Sequence, residues 1–263
     1  MLQIATLASG SSGNCTLVTD GQTHILIDAG ISARRITTGL KALGVDPAEL
    51  SAILITHEHS DHISGLNTLK KQLGFKLCAT ASTARQLCYR MTELESRIHM
   101  FEPGAGFALG SLYIESFPTL HDCACPVGYA VSDGDGVRMA LATDLGVVTE
   151  AVERGVGGAR LVITEANYDL NTLRSGPYPG FLKERILSDH GHLSNEMGGA
   201  LALYAVTHGA EKIVLGHLSQ ENNTPRMAYA AVEAVLTGGG VRVGTDTELS
   251  VAPRCECGGW ITV

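Results

Sequence analysis

No uninterrupted apolar run in the chain approaches the roughly 20 residues that a membrane-spanning helix needs, so a transmembrane segment is excluded. Residues 1–8 are apolar but lack a basic start, and Gly10-Ser11-Ser12-Gly13-Asn14 interrupts them, so they do not read as a secretory signal. The expectation is a soluble cytoplasmic protein with no membrane partner. Paired cysteine motifs are missing too. The seven cysteines, at 15, 78, 88, 123, 125, 255 and 257, are odd in number and scattered, which argues against a disulfide framework. Cys123-x-Cys125 and Cys255-x-Cys257 each stand without a C-x-x-C or a nearby histidine, so plain thiols rather than structural zinc are expected. Basic charge is scarce: 19 Lys and Arg against 27 Asp and Glu give a net charge of −8. That excludes a protein that coats nucleic acid non-specifically, but not an enzyme whose local basic patches act alone. No Pro-rich linker, repeat or low-complexity tract divides the chain, and a single domain over residues 1–263 is expected.

Glycine, by contrast, is abundant. Its 31 copies among 263 residues imply many tight loops or close backbone approaches. Short apolar runs at Leu2–Ala8, Cys15–Asp20 and His24–Asp28, separated by Gly/Ser/Asp turns, read as three consecutive antiparallel strands. Helices are expected over Ser32–Leu43, Ser64–Leu73 and Ser82–Arg90 (with Ser82 as cap), and strands over Ala52–Thr56 and Lys76–Ala79. A second set of strands follows at Arg97–Phe101, Phe107–Leu109, Leu112–Pro118, Val127–Ser132 and Val137–Thr143, the last two joined by the hairpin signal Asp133-Gly134-Asp135-Gly136. Further on, strands are expected at Arg160–Thr164, Lys212–Leu215, Val241–Val243 and Glu248–Val251. Helices are expected at Val147–Arg154, Pro179–Leu187, Ser194–His208 and Pro225–Leu236, with Gly198, Gly199 and Ala200 allowing close packing. Strands with helices, then strands with helices again, fit two sheets packed face to face with helices on both outer faces, an α/β architecture.

The most informative segment is His57-Glu58-His59-Ser60-Asp61-His62, directly after the apolar run Ala52–Thr56. Backbone leaving a strand is still near extended, so His57 and His59, two apart, point the same way. Asp61 and His62 turn into the next helix and face a second point. One loop can thus hold half the ligands of two adjacent metal ions, which clamp a water and an ester oxygen between them. Other metal-capable residues sit at strand exits: Asp28, His121, Asp144 and His217. Any one of them alone is most simply a turn residue or a cap. Together with the histidine loop they describe a common rim and the seven or so ligands of a dinuclear site.

These residues resemble the metallo-β-lactamase superfamily, and within it the YycJ/WalJ-like branch. The closer match is carried by Gly10–Asn14, Leu26-Ile27-Asp28-Ala29-Gly30, Thr56–His62, His121-Asp122, Thr143–Gly146, Arg174–Pro179, and the two segments Gly191-His192-Leu193-Ser194-Asn195 and Leu215–Ser219. The resemblance covers nearly the whole chain. It implies a four-layer αββα sandwich with two divalent ions, zinc or manganese, at one edge of the sheets. His57, His59 and His121 would hold one ion, Asp61, His62 and His217 the other, and Asp144 would bridge them. Asp28 would orient a ligand by hydrogen bonds. A carboxylate at 144, where true β-lactamases tend to have cysteine, makes antibiotic hydrolysis unlike this chain.

The resemblance further implies hydrolysis of DNA from the 5′ end. Asp61 would take the proton of the attacking water, and His192 is the candidate donor to the leaving oxygen. The plainer reading of His192 is a loop histidine packed on the helix that follows. Asn14 and its Ser/Gly turn offer donors for a phosphate, or simply form a tight hairpin. Arg174, Tyr178, Lys183 and Arg185 offer phosphate contacts and base stacking, or form a solvated loop and helix face; Ser194 and Asn195 are further substrate candidates. Larger nucleases of the superfamily insert a clamp domain between the fourth and fifth metal motifs. Asp144 and His217 are only 73 positions apart, so no such domain fits, and the strand grip falls to residues 174–195 or to a homodimer partner. A thioesterase, lactonase or cyclic phosphodiesterase would use the same two-metal chemistry, with less need for the basic stretch at 174–185. A metal-binding scaffold with an inert site is the non-enzymatic alternative, and the full ligand set argues against it.

Overall fold

The computed structural model describes residues 1–72 and 74–263. Two seven-stranded sheets form. The first contains β1 (Gln3–Ala8), β2 (Cys15–Thr19), β3 (His24–Ile27), β4 (Leu50–Leu54), β5 (Lys76–Thr80), β6 (Ile98–Phe101) and the last strand, β14 (Ile261–Thr262), in the order β14-β1-β2-β3-β4-β5-β6. The second contains β7 (Gly106–Leu109), β8 (Leu112–Pro118), β9 (Val127–Ser132), β10 (Arg138–Ala142), β11 (Leu161–Glu165), β12 (Lys212–Gly216) and β13 (Glu248–Val251), in the order β13-β12-β11-β10-β9-β8-β7. The first three strands pair antiparallel, as their turn signals predict. From β3 to β6 pairing is parallel, and so it is from β10 to β13.

Strands buried on both faces explain the near-continuous apolar runs. Side chains alternate along β4: Ala52 and Leu54 enter the core between the sheets, and Ile53 enters the outer core. In β11, Leu161 and Ile163 face the inter-sheet core while Val162 faces outward. The outer face of the first sheet is covered by α1 (Ala33–Ala42), the single-turn α2 (Ser60–Ile63), α3 (Leu66–Gln72) and α4 (Ala81–Arg90). The second sheet is covered chiefly by α5 (Glu150–Val156), α8 (Asn195–Thr207) and α9 (Pro225–Gly238), with α6 (Leu170–Ser175) and α7 (Gly180–Leu187) between β11 and α8. The expected αββα sandwich is what the chain forms.

Local chemistry explains where elements start and stop. The Ser194 hydroxyl caps α8 by accepting from the Met197 N–H at 3.2 Å, and Pro225 opens α9. Gly198 admits the close approach expected of it: a Cβ there would lie 2.1 Å from the Glu165 carbonyl oxygen. Ala200 is exposed and takes no part in that contact. Several boundaries differ from expectation. α4 begins at Ala81, so Ser82 lies inside the helix and is not its cap. Val241–Val243 is no strand, since only Val243 makes an isolated bridge, to Thr247. The helix expected over Ser64–Leu73 is α3, beginning at Leu66 and preceded by the separate turn α2, and Leu73 lies outside the described residues. Helix α6 and strand β14 were not anticipated, both being too short for a periodicity to show. No helix among the described residues is long and apolar enough to cross a membrane. All seven cysteines are free thiols.

A candidate metal centre at the rim of both sheets

The carboxyl ends of β3, β4, β8, β10, β11 and β12 meet at one edge, and the loops leaving them carry the cluster. Three non-glycine residues among those described have positive φ: Asp28 at 63°, Asp144 at 58° and His217 at 54°. Each follows a strand by one or two residues. A left-handed residue there ends the strand abruptly and turns its side chain back over the rim. The conformation costs an L-residue on the order of 1–2 kcal/mol, and it recurs where a site's geometry demands it.

Ligand-capable atoms converge in four sets: His57, His59 and His121; Asp61, His62 and His217; His57, His62 and Asp144; and Asp144, Glu165, His192 and His217, the atoms of each set lying within 4.8 Å of one another. Asp144 touches both sides. Its carboxylate is 3.4 Å from His62 Nε2, 3.4 Å from His217 Nε2 and 3.9 Å from His121 Nε2. Asp61 Oδ2 lies 3.5 Å from His62 Nε2 and 3.6 Å from His217 Nε2. His57 Nε2, His217 Nε2 and Asp144 Oδ2 are buried and have no hydrogen-bond partner. Buried polar atoms without partners are rare and call for one. Here they point at a common space lined by imidazole nitrogens and carboxylates, the donor set of a divalent transition ion, so the residues present fit such ions. No cysteine belongs to a metal-capable group among the described residues.

Hydrogen bonds behind these atoms fix their orientation. Asp28 accepts from the Thr56 N–H at 2.9 Å, from Thr56 Oγ1 at 2.9 Å and from His62 Nδ1 at 2.7 Å, which aims His62 Nε2 inward. His121 Nδ1 donates to the Gly191 carbonyl at 2.9 Å. Glu58, between the two leading histidines, faces away from the cluster. Its carboxylate accepts from the Ala124 N–H at 2.8 Å and so pins the loop that carries His121.

Glu165 was missed by the sequence reading. It is fully buried at the end of β11, and its carboxylate accepts from His217 Nδ1 at 2.6 Å, His192 Nδ1 at 2.9 Å, Leu193 N–H at 3.0 Å and Leu145 N–H at 3.3 Å. One side chain therefore orients both His217 and His192. The signal was present: an acidic residue at a strand exit, the same pattern that singled out Asp28 and Asp144. The strand was read as ending at Thr164, one residue short. The His192 ring lies 4.9 Å from that of His121 and 5.2 Å from that of His217.

Electrostatics divide the cluster. Burial lowers His57, and the neighbouring His62, His121 and His59 lower it further. Burial lowers His121 as well, outweighing Asp144. Burial also acts to lower His62 and His217, but carboxylates win: Asp144, Asp28 and Asp61 hold His62 well above the ordinary histidine value, and Asp144, Asp61 and Glu165 push His217 up to about 10.

The remaining candidates are dispersed in role. Asn14 is buried, and its turn spends its donors internally: Gly10 N–H donates to Asn14 Oδ1 at 2.9 Å, and Asn14 N–H donates to the Asp61 carbonyl at 2.8 Å. Its Nδ2 lies 3.1 Å from His62 Nε2, so the residue braces the ligand loop. Ser194 caps α8, and Asn195, fully buried, exchanges side-chain hydrogen bonds with Asn223 at 2.7 and 3.2 Å. Lys183 donates to the Arg174 and Gly176 carbonyls at 2.8 and 2.7 Å and so closes the end of α6. Tyr178 is half-buried and Arg174 is exposed. Arg185 does reach the cluster, pairing with Asp122, whose carboxylate lies 3.3 Å from His121 Nε2.

Comparison with known proteins agrees with this geometry. A family model described as a beta-lactamase superfamily domain matches residues 23–218. The chain is 40% identical over 243 residues to the exodeoxyribonuclease WalJ of Streptococcus pneumoniae serotype 2, covering 91% of this chain and 90% of that protein. It is 34% identical over 249 residues to the exodeoxyribonuclease YycJ of Bacillus anthracis, covering 94% of each. The metallo-β-lactamase fold protein YhfI from Bacillus subtilis shares the fold, with a TM-score of 0.73 over the whole of both chains at 16% identity. The chain belongs to the beta-lactamase superfamily and, within it, to the WalJ/YycJ family. Fold, family and cluster make it a metal-dependent hydrolase.

Proposed function

We propose that the chain is a 5′-to-3′ exodeoxyribonuclease that works with two divalent ions, zinc or manganese. The observation that carries the reading is Asp144, whose carboxylate stands between a three-histidine set and an Asp-His-His set and reaches both. The kind of ester is supported by the exodeoxyribonuclease relatives, similar over nine-tenths or more of this chain. His57, His59 and His121 would hold one ion and Asp61, His62 and His217 the other, with Asp144 bridging. Bound there, two such ions would acidify a water and neutralise charge on the phosphodiester oxygens.

The chain's own groups supply the proton traffic. Asp61 keeps one oxygen on the ligand side and takes the attacking water's proton on the other. Glu165 fixes the His192 tautomer by accepting from Nδ1, so Nε2 is the atom that delivers a proton to the leaving 3′ oxygen. Asp28 acts only by holding His62. The reading also includes a single domain over residues 1–263, a cytoplasmic location and a homodimer that could add strand contacts.

The test is to strip the protein, add back each metal, and follow duplex and single-stranded DNA labelled at either end, with 5′-phosphate and 5′-hydroxyl termini. Mononucleotides released from the 5′ end are expected, with loss of activity in Asp61→Ala. Turnover of a glutathione thioester with no attack on any DNA would refute the reading.

A further inference from the structure

Helix α7 buries none of its residues. Leu182 and Ile186, one turn apart, are half-buried and face the body of the protein; Phe181 and Arg185, also one turn apart, share the exposed face. Phe181 is 74% exposed, an unusual position for a ring that gains from burial. The helix is tied to the site at its far end. The His192 N–H donates to the Ile186 carbonyl at 3.1 Å, and Arg185 pairs with Asp122 beside His121.

Arg185 also lines an open groove with His59, Ser60, Asp61 and Arg90. Arg90, the last residue of α4, donates to the Glu58 carbonyl at 3.1 Å. Two guanidiniums from opposite sides of the fold thus flank a face of the cluster where His59 and Asp61 reach solvent. The carboxylates there, Asp61 and Asp122, belong to the cluster or pair with Arg185. On a chain of net charge −8, Arg90 and Arg185 offset these two carboxylates and put guanidinium donors at the mouth of the cluster. A nucleic-acid strand matches it: phosphates suit guanidiniums, and a base suits an exposed ring one helical turn away.

We propose that Phe181 is a base-stacking platform and that Arg90 and Arg185 contact phosphate, together seating the single-stranded end of the DNA at the metal cluster. This rests on the nuclease reading. It places the strand grip on α7 and α4 rather than on an inserted domain, and it leaves out Lys183, whose ammonium is spent on α6.

The test is steady-state degradation of single-stranded oligonucleotides by the metal-loaded protein, with and without an abasic position near the attacked end. Phe181→Ala is expected to raise KM about tenfold with kcat within twofold, and Phe181→Trp to restore it. The abasic substrate should raise the KM of the parent protein by a similar factor and leave that of Phe181→Ala unchanged. Arg90→Gln should flatten the slope of log KM against log salt by about 0.7, one phosphate contact on a single strand. Phe181→Ala with the parent's KM and the parent's sensitivity to the abasic site would overturn the proposal while leaving the nuclease reading intact. Failure of the parent protein to degrade any DNA would overturn that reading and the proposal with it.

Discussion

Replacing Glu165 by Gln keeps the shape of a fully buried side chain and removes its charge. Four N–H groups now point at its two oxygens: His217 and His192 Nδ1 at Oε1, Leu193 and Leu145 backbone N–H at Oε2. Backbone donors cannot reverse, so the amide carbonyl must take their side, and the amide NH2 must face the imidazoles. His217 can then accept at Nδ1 only by carrying its proton on Nε2, the atom that lies 3.4 Å from Asp144 and 3.6 Å from Asp61. A protonated Nε2 cannot bind a cation. Restoring the useful tautomer sets donor against donor and leaves a buried group unsatisfied, at about 1–3 kcal/mol. That range brackets the roughly 10–100-fold loss of metal affinity seen when a partner behind a ligand is removed. Titration of stripped Glu165→Gln against a chromophoric chelator should show one of two ions weakened by that factor. At saturating metal, kcat should stay depressed because His192 has lost its carboxylate too. Two ions bound with parental affinity, together with parental kcat, would refute the reasoning.

Protonation offers a second test. In the stripped protein near neutral pH, carboxylates keep His62 and His217 charged, while burial keeps His57 and His121 neutral. Filling the Asp61/His62/His217 set should therefore release about two protons per ion, read by calorimetry in buffers of different ionisation enthalpy, and its affinity should fall as pH drops. The sign for folding is the reverse: with its folded pKa raised to about 10, His217 stabilises the stripped protein fully below its ordinary value of 6.5, and that contribution is lost as pH rises through about 10. Denaturant melts across that interval check it. Third, Gly30→Ala would set a Cβ 1.6 Å from the Asp61 carbonyl oxygen and 2.7 Å from Asn14 N, both backbone atoms. Urea titration should show a loss of about 3 kcal/mol or more together with failure to load metal.

Most of the cluster was legible because its members share a local pattern, a polar residue just past an apolar strand. His57 to His62 showed as a run, and Asp28, Asp144 and His217 as isolated strand exits. What periodicity does not carry is the partner across space. Glu165 looked like the start of a loop, and only the fold brings it under two histidines 27 and 52 positions away. Asn14 reads from sequence as a phosphate donor or a tight hairpin, and Ser194 and Asn195 as substrate candidates; their polar groups are engaged within the protein, which a sequence cannot distinguish. The basic stretch at 174–185 divided for the same reason, Lys183 turning inward and Arg185 outward.

His57, His59, Asp61 and His62 leave the first sheet, whereas His121, Asp144 and His217 leave the second. Each three-residue set that could grip a cation draws two members from the polypeptide before β7 and one from after it. Neither part, expressed alone, owns any of these three-residue sets complete, although the group Asp144, Glu165, His192 and His217 lies wholly after β7. Split between β6 and β7, the two fragments would regain the three-residue sets only on reassembly, which makes cations held there reporters of sandwich closure as much as reagents.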